Sequence, residues 1–172
     1  GYLDCGQPAG EASLIQVVRG KPYTFPGTTG PAGTVLFDEK AVEFRADKLD
    51  PRKRYALGFS WWDQNSDGRV ESVLVTGPDH RPRTLIEKRA LSGQVATQAA
   101  ALPAESYADG KLRIAFANEA NVPNAVVSEI WLWEMAADAK LPASLSEHVA
   151  AELEAYDPIG RLKRRTDPEG TT

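Results

Sequence analysis

An all-β sandwich is the fold class this chain predicts, and three observations predict it. Apolar residues recur in short runs with a period of two, the spacing of half-buried strands. Gly, Pro and Asp-Gly breakers separate those runs, from Gly6-Gln7-Pro8 near one end to Asp109-Gly110 near the other. No alternation of strand and helix patterns and no convincing internal repeat competes with this reading.

Bulk properties narrow the functional classes. With 172 residues, 42% hydrophobic and 26% charged, the chain suits one globular domain carrying a tail. A net charge of -4 offers no basic face for nucleic acid. No apolar run approaches the ~20 residues of a membrane helix. No signal-peptide pattern opens the sequence, and the Gly1-Tyr2-Leu3-Asp4-Cys5 start reads as a trimmed or mature end. Cys5 is the single cysteine, so no internal disulfide forms and the redox compartment stays open; it reads as a small buried residue of the first strand.

In chain order, residues 2–5 form a short strand, ended by the Gly6-Gln7-Pro8-Ala9-Gly10 turn. Residues 13–18 form a second, closed by Arg19-Gly20-Lys21-Pro22. The stretch Pro26-Gly27-Thr28-Thr29-Gly30-Pro31-Ala32-Gly33 is too rich in breakers for regular structure. It is either a plain surface connection or a binding loop. Residues 34–37 and 41–46 read as strands, the latter with Val42 and Phe44 on one face and Glu43 and Arg45 on the other.

A polar turn at residues 49–54 leads into the most informative stretch. Residues 55–62 are aromatic and apolar, while residues 70–75 alternate Val70, Ser72 and Leu74 against Glu71, Val73 and Val75. Asp67-Gly68 between them takes readily to a tight turn, so the pair predicts a β-hairpin. Its tip would carry Trp61, Trp62 and a cluster of side-chain oxygens.

After a turn at Gly77-Pro78-Asp79, residues 84–91 lean to strand and the Ala-rich 95–102 to strand or short helix. Leu112, Ile114 and Phe116 alternate with Lys111, Arg113 and Ala115. A polar loop at 118–124 precedes one long closing strand at 125–134, with Ile130 and Leu132 on one face and Trp131 and Trp133 on the other. Beyond it, Ser144 and Glu147 fit a capping box, and Leu145, Val149 and Leu153 make a single apolar stripe, so a short C-terminal helix is expected before Pro158. The expected division is a sandwich over residues 1–135 and a helix with a frayed tail over 136–172.

The strand end Trp61-Trp62-Asp63, the strand Asp109-Gly110-Lys111-Leu112-Arg113-Ile114-Ala115-Phe116 and the closing Ala125-Val126-Val127-Ser128-Glu129-Ile130-Trp131-Leu132-Trp133 resemble galactose-binding-like jelly rolls. They are most similar to the malectin-like modules attached to bacterial polysaccharide-degrading enzymes. The resemblance covers residues 1–134. It implies a jelly-roll β-sandwich of eight or nine strands, binding through loops at one end, a structural calcium ion in many members, and no catalysis. Fold likeness does not fix a ligand, because one fold carries many functions.

Neighbours in a strand point to opposite faces, so one of Trp61 and Trp62 faces the core. Alternation back through Ser60 makes Trp62 the expected exposed ring, a platform for a pyranose or else a ring packed under a loop. Asp63, Asn65, Asp67, Gly68 and Glu71 follow the first nine places of an EF-hand loop, but Leu74 stands where that loop needs a bidentate Glu. A partial calcium cage of Asp63, Asn65 and Asp67 and a simple polar turn are the two readings left. Arg69 either grips a sugar hydroxyl or carboxylate or pairs with Asp63 or Glu71. Trp131 and Trp133 either pack under the Leu145, Val149, Leu153 stripe, meet a neighbouring domain or bind ligand.

Enzyme chemistry has little to stand on. His80 and His148 are too few and dispersed for a zinc site, and Gly27-Thr28-Thr29-Gly30 lacks the Gly-Lys-Ser/Thr ending of a phosphate loop. Glu105, Asp109, Glu119 and Glu129 are available as a glycosidase pair, though nothing in their spacing joins two of them. The expectation is a noncatalytic carbohydrate-binding module of a larger secreted or periplasmic protein. Its ligand-binding residues would be Trp62, Asp63, Arg69 and Trp61, or failing those the 26–33 or 118–124 loop. Alternatives are a module that braces an adjacent catalytic domain, and a small glycan hydrolase.

Overall fold

The computed structural model describes residues 2–5, 14–28, 32–120 and 124–141. Its strands are β1 (Tyr2–Asp4), β2 (Ile15–Arg19), β3 (Lys21–Thr24), β4 (Thr34–Asp38), β5 (Ala41–Asp47), β6 (Arg54–Trp61), β7 (Val70–Thr76), β8 (Pro82–Ala90), β9 (Ala96–Ala101), β10 (Lys111–Asn118), β11 (Ala125–Val127) and β12 (Glu129–Met135). A 3-10 turn, Ala104–Tyr107, separates β9 from β10. The expected C-terminal helix at Ser144, with its Leu145, Val149, Leu153 stripe, lies outside the described residues.

The strands form an antiparallel sandwich. A four-stranded sheet of order β1-β12-β6-β9 faces a five-stranded sheet of order β2-β5-β10-β7-β8, and a small sheet β11-β4-β3 adjoins them. Alternation sends Leu57, Phe59 and Trp61 of β6 and Ile130 and Leu132 of β12 inward. There they meet Phe44 of β5, Val73 and Val75 of β7, and Ile114 and Phe116 of β10 in one cluster. Phe116 is the hub, edge-on to Phe59 at 5.0 Å, to Phe44 at 5.9 Å and to Trp61 at 6.2 Å. Edge-to-face geometry brings the positive rim of one ring to the negative face of another.

Two expectations are corrected here. The stretch around Asp67-Gly68 is not a hairpin: β6 pairs with β12 and β9, whereas β7 pairs with β10 and β8 in the opposite sheet. The reason is burial. Residues 55–61 of β6 are buried on both faces, which requires a central strand covered on each side. Residues 62–69 therefore arch from one sheet to the other.

The closing strand is likewise two strands. It breaks at Ser128, where β11 leaves the small sheet and β12 enters the four-stranded one. Ser128 carries the ladder across that break: its N–H donates to Ser60 O at 2.8 Å, and its carbonyl accepts from Cys5 N–H at 2.9 Å.

Smaller matters follow the same logic. β8 begins at Pro82 because it is a sheet edge, where a missing N–H costs no ladder bond. The Ala-rich stretch is strand β9. β3 was not foreseen, because Pro22 inside a four-residue strand reads as a breaker. Cys5 is fully buried, as expected. Trp131 is buried and Trp133 half-buried, on the outer face of the four-stranded sheet opposite the small side chains of β6.

Candidate functional site

The arch of residues 62–69 and the starts of β7 and β11 meet at one end of the sandwich. The arch holds itself by its own acid. Asp63 Oδ2 accepts from Gly68 N–H at 2.8 Å and Arg69 N–H at 3.0 Å, and Asp63 Oδ1 accepts from Arg69 Nε at 3.0 Å. Gly68, at φ 79°, turns the backbone so that its N–H reaches the carboxylate. Both members of the ion pair are buried. Burial works to raise the Asp63 carboxyl, but the N–H donors of Arg69, Asp67 and Gly68 and the Arg69 charge outweigh it, leaving the carboxyl below its ordinary value.

Arg69 reaches further. One Nη donates to Asn124 O at 2.7 Å and the other to Asp67 Oδ2 at 3.5 Å, so a single guanidinium ties the arch to the start of β11. Directly below it, Glu71 is fully buried, with Oε1 accepting from Val126 N–H at 2.9 Å and Oε2 without a hydrogen-bond partner. Burial pushes this carboxyl up to about 8, against the opposing pull of Val126 N–H and Arg69. At neutral pH it is mostly a neutral acid. Ser72 Oγ donates to Glu119 Oε1 at 2.6 Å, fastening the next loop to the same end.

This geometry changes the roles of the residues singled out from sequence. Trp61 is core, as expected. Trp62 is not the exposed ring: it is 8% exposed, with the Phe25 ring edge-on at 5.4 Å. Alternation could not show this, because the covering ring comes from a distant loop. Asp63 and Arg69 satisfy each other rather than facing solvent. Asn65 and Asp67 are exposed in the turn.

A calcium ion fits this arrangement poorly. The Asp63 oxygens already take three N–H donors, and the adjacent guanidinium would repel a dication. Among the described residues no group of three or more His, Cys, Asp or Glu is placed to hold a metal ion.

The exposed aromatic at this end is one the sequence reading passed over. Tyr23 is 47% exposed and sits edge-on to Phe25 at 4.8 Å, so Tyr23, Phe25 and Trp62 descend from surface to core. Phe25 O accepts from Thr28 Oγ1 at 2.7 Å and Phe25 N–H donates to Gly33 O at 2.8 Å, which pins the base of the breaker-rich loop. The signal was available: two aromatics two residues apart, immediately before a loop read as either a plain connection or a binding loop.

The four carboxylates considered for catalysis fall in three separate places. Glu105 lies within the 3-10 turn at the opposite end with Asp109 just beyond it, and Glu119 is bonded to Ser72. Glu129 lies buried on β12, accepting from Ser60 Oγ at 2.9 Å. Among the described residues no helix is long and apolar enough to cross a membrane.

The fold is an all-β, antiparallel sandwich. No family model matches the chain, and no curated protein matches it in sequence. Solved structures do match in fold. β-Glucuronidase 2 of Bacteroides uniformis aligns at TM-score 0.57 and 12% identity, over 78% of this chain and 18% of the enzyme's. The ANX2 ectodomain of Arabidopsis thaliana aligns at TM-score 0.53 and 15% identity, over 78% of this chain and 42% of that one. The ANXUR1 extracellular domain from the same plant gives TM-score 0.51 at 15% identity, over 78% and 41%. The chain thus spans less than half the length of each of these proteins.

Proposed function

We propose that this chain is a noncatalytic carbohydrate-binding module of a larger secreted or periplasmic protein, and that it binds sugar at the Tyr23–Phe25 rim. The observation that carries the reading is the exposed Tyr23 ring, backed by Phe25 and Trp62, at the edge of a loop that carries polar Thr28. Sugar sites pair an apolar platform with a few oriented polar groups, and a ring propped from behind keeps its face available without losing side-chain entropy on binding. Asp63, Arg69 and Trp62 then act as positioning residues that hold the arch and loop, not as ligands. The correspondence with part of a glucuronidase supports a place beside a glycan-active domain. The bracing alternative through Trp131 and Trp133 lacks a bare surface, since the first is buried and the second half-buried.

A glycan array and affinity-gel screen on the chain, repeated with EDTA, tests the proposal. Tyr23→Ala should cost at least tenfold in affinity for a neutral glycan found while leaving the melting temperature within a degree or two. Binding that survives Tyr23→Ala unchanged would remove the rim as the site. No glycan bound by a normally folded chain would remove the carbohydrate reading itself.

A further inference from the structure

The opposite end of the sandwich carries a second feature that the rim does not use. An open cleft of about 770 Å³ lies across β5, β7 and β10, floored by buried Leu49 and Leu112. Its walls bring four cations, Arg45, Lys48, Lys111 and Arg113, against two carboxylates, in a chain whose net charge is -4. The concentration of positive charge is therefore local and runs against the overall balance.

The pairing inside the cleft leaves cations over. Arg113 and Arg45 are directly opposite each other across β10 and β5, and both are exposed. Like charges so placed repel and destabilise a sheet. Arg45 is drawn aside, to Asp47 at 2.9 Å and Gln16 Oε1 at 2.6 Å. That pairing uses one of the two carboxylates. The other, Asp109, accepts from the backbone N–H of Lys111 at 3.0 Å. Arg113, Lys48 and Lys111 have no side-chain ion pair among the described residues.

The backbone adds an independent sign. Lys48 and His80, on opposite walls, both sit in the left-handed region, at φ 65° and 57°. Side-chain-bearing residues adopt this region seldom, and lysine has no local hydrogen bond to favour it. The cleft floor holds the first of them in place: Leu49 N–H donates to Gly110 O at 3.0 Å, and Gly110 is itself at φ 78° with no room for a Cβ against Leu49 O.

We infer that this cleft is a second binding site, for an acidic sugar chain whose carboxylates pair with Arg113, Lys111 and Lys48. The mixed lining favours a hydroxylated anion over a phosphate polymer. Asp109 and Thr76 can engage sugar hydroxyls, and no Phe, Tyr or Trp ring lines the cleft to stack a base. Arg113 presents a planar fork suited to a carboxylate held bidentately. The site is at the far end from Tyr23 and stands or falls separately from the rim.

The test is calorimetric titration of the whole chain at low salt with an oligogalacturonate, with its methyl ester, and with oligothymidylate. The expected result is binding of the oligouronate alone, weakened by added salt because exposed ion pairs are screened. The double variant Arg113→Gln, Lys111→Gln should lose at least tenfold in affinity. Melting curves keep the result interpretable: relief of the Arg113–Arg45 repulsion should leave the variant at least as stable as the parent, and the oligouronate should raise only the parent's melting temperature. Absence of oligouronate binding, equal binding of the methyl ester, full affinity in the double variant, or tighter binding of oligothymidylate would each overturn the inference.

Discussion

Glu71→Gln is the sharpest probe of the arch and of the buried acid beneath it. In the fold this carboxyl titrates near 8, against an ordinary 4.5, because burial penalises its charge. A folded state that holds a proton more tightly than the unfolded chain is favoured most at low pH. Its contribution is complete below about pH 4.5, declines as pH rises, and is gone above about pH 8. The gap between 4.5 and 8, at about 1.4 kcal/mol per pH unit, amounts to roughly 5 kcal/mol. Glutamine keeps the carbonyl that accepts from Val126 N–H and cannot ionise. Urea or thermal unfolding of both proteins from pH 5 to pH 9 should therefore show similar stability at the acid end. At pH 9 the variant should be the more stable by several kcal/mol, or ~10–20 °C in melting temperature for a domain of this size. Groups common to both proteins cancel in the difference. A difference that stays flat from pH 5 to pH 9 would refute the reasoning and show Glu71 ionised in the fold, its charge carried by Arg69.

Three further outcomes follow from the same structure. Trp62→Ala should destabilise the chain by about 3 kcal/mol, the lower end for a buried large aromatic, and expose Phe25; an unchanged melting temperature would mean the ring is a surface platform after all. Gly58→Ala would place a Cβ 2.9 Å from one Trp133 ring carbon and 3.2 Å from a Trp131 ring carbon. Overpacking of that kind costs about 1–3 kcal/mol and should alter the near-ultraviolet dichroism of the tryptophans; a silent substitution would show that the outer face yields freely. Millimolar calcium added to metal-free protein should leave the melting temperature unmoved, because Asp63 is spent on Arg69 and its own turn; a rise would show that the turn opens to take the ion.

Much of the fold was legible because it depends on local pattern. Period-two alternation placed β5 and β10 within a few residues, and alternation put Trp61 on the core side of β6. The burial expected of the lone Cys5 was equally local. Sequence also put Asp63 and Arg69 in one cluster, since six positions across a turn bring a carboxylate and a guanidinium together.

What the sequence left undecided depends on which surfaces meet. A turn between two strands does not say whether they pair, and β6 and β7 do not: a strand buried on both faces needs neighbours from elsewhere in the chain, here β12 and β9. Exposure has the same non-local cause. Trp62 is covered because the loop after β3 folds Phe25 onto it, and that same contact leaves Tyr23 at the surface. The distant cleft gathers Lys48, His80 and Arg113 from three separate turns and strands, a juxtaposition no spacing encodes. Local chemistry set the strands and the turns, whereas long-range packing decided which side chains were consumed in holding the fold and which were left at the surface.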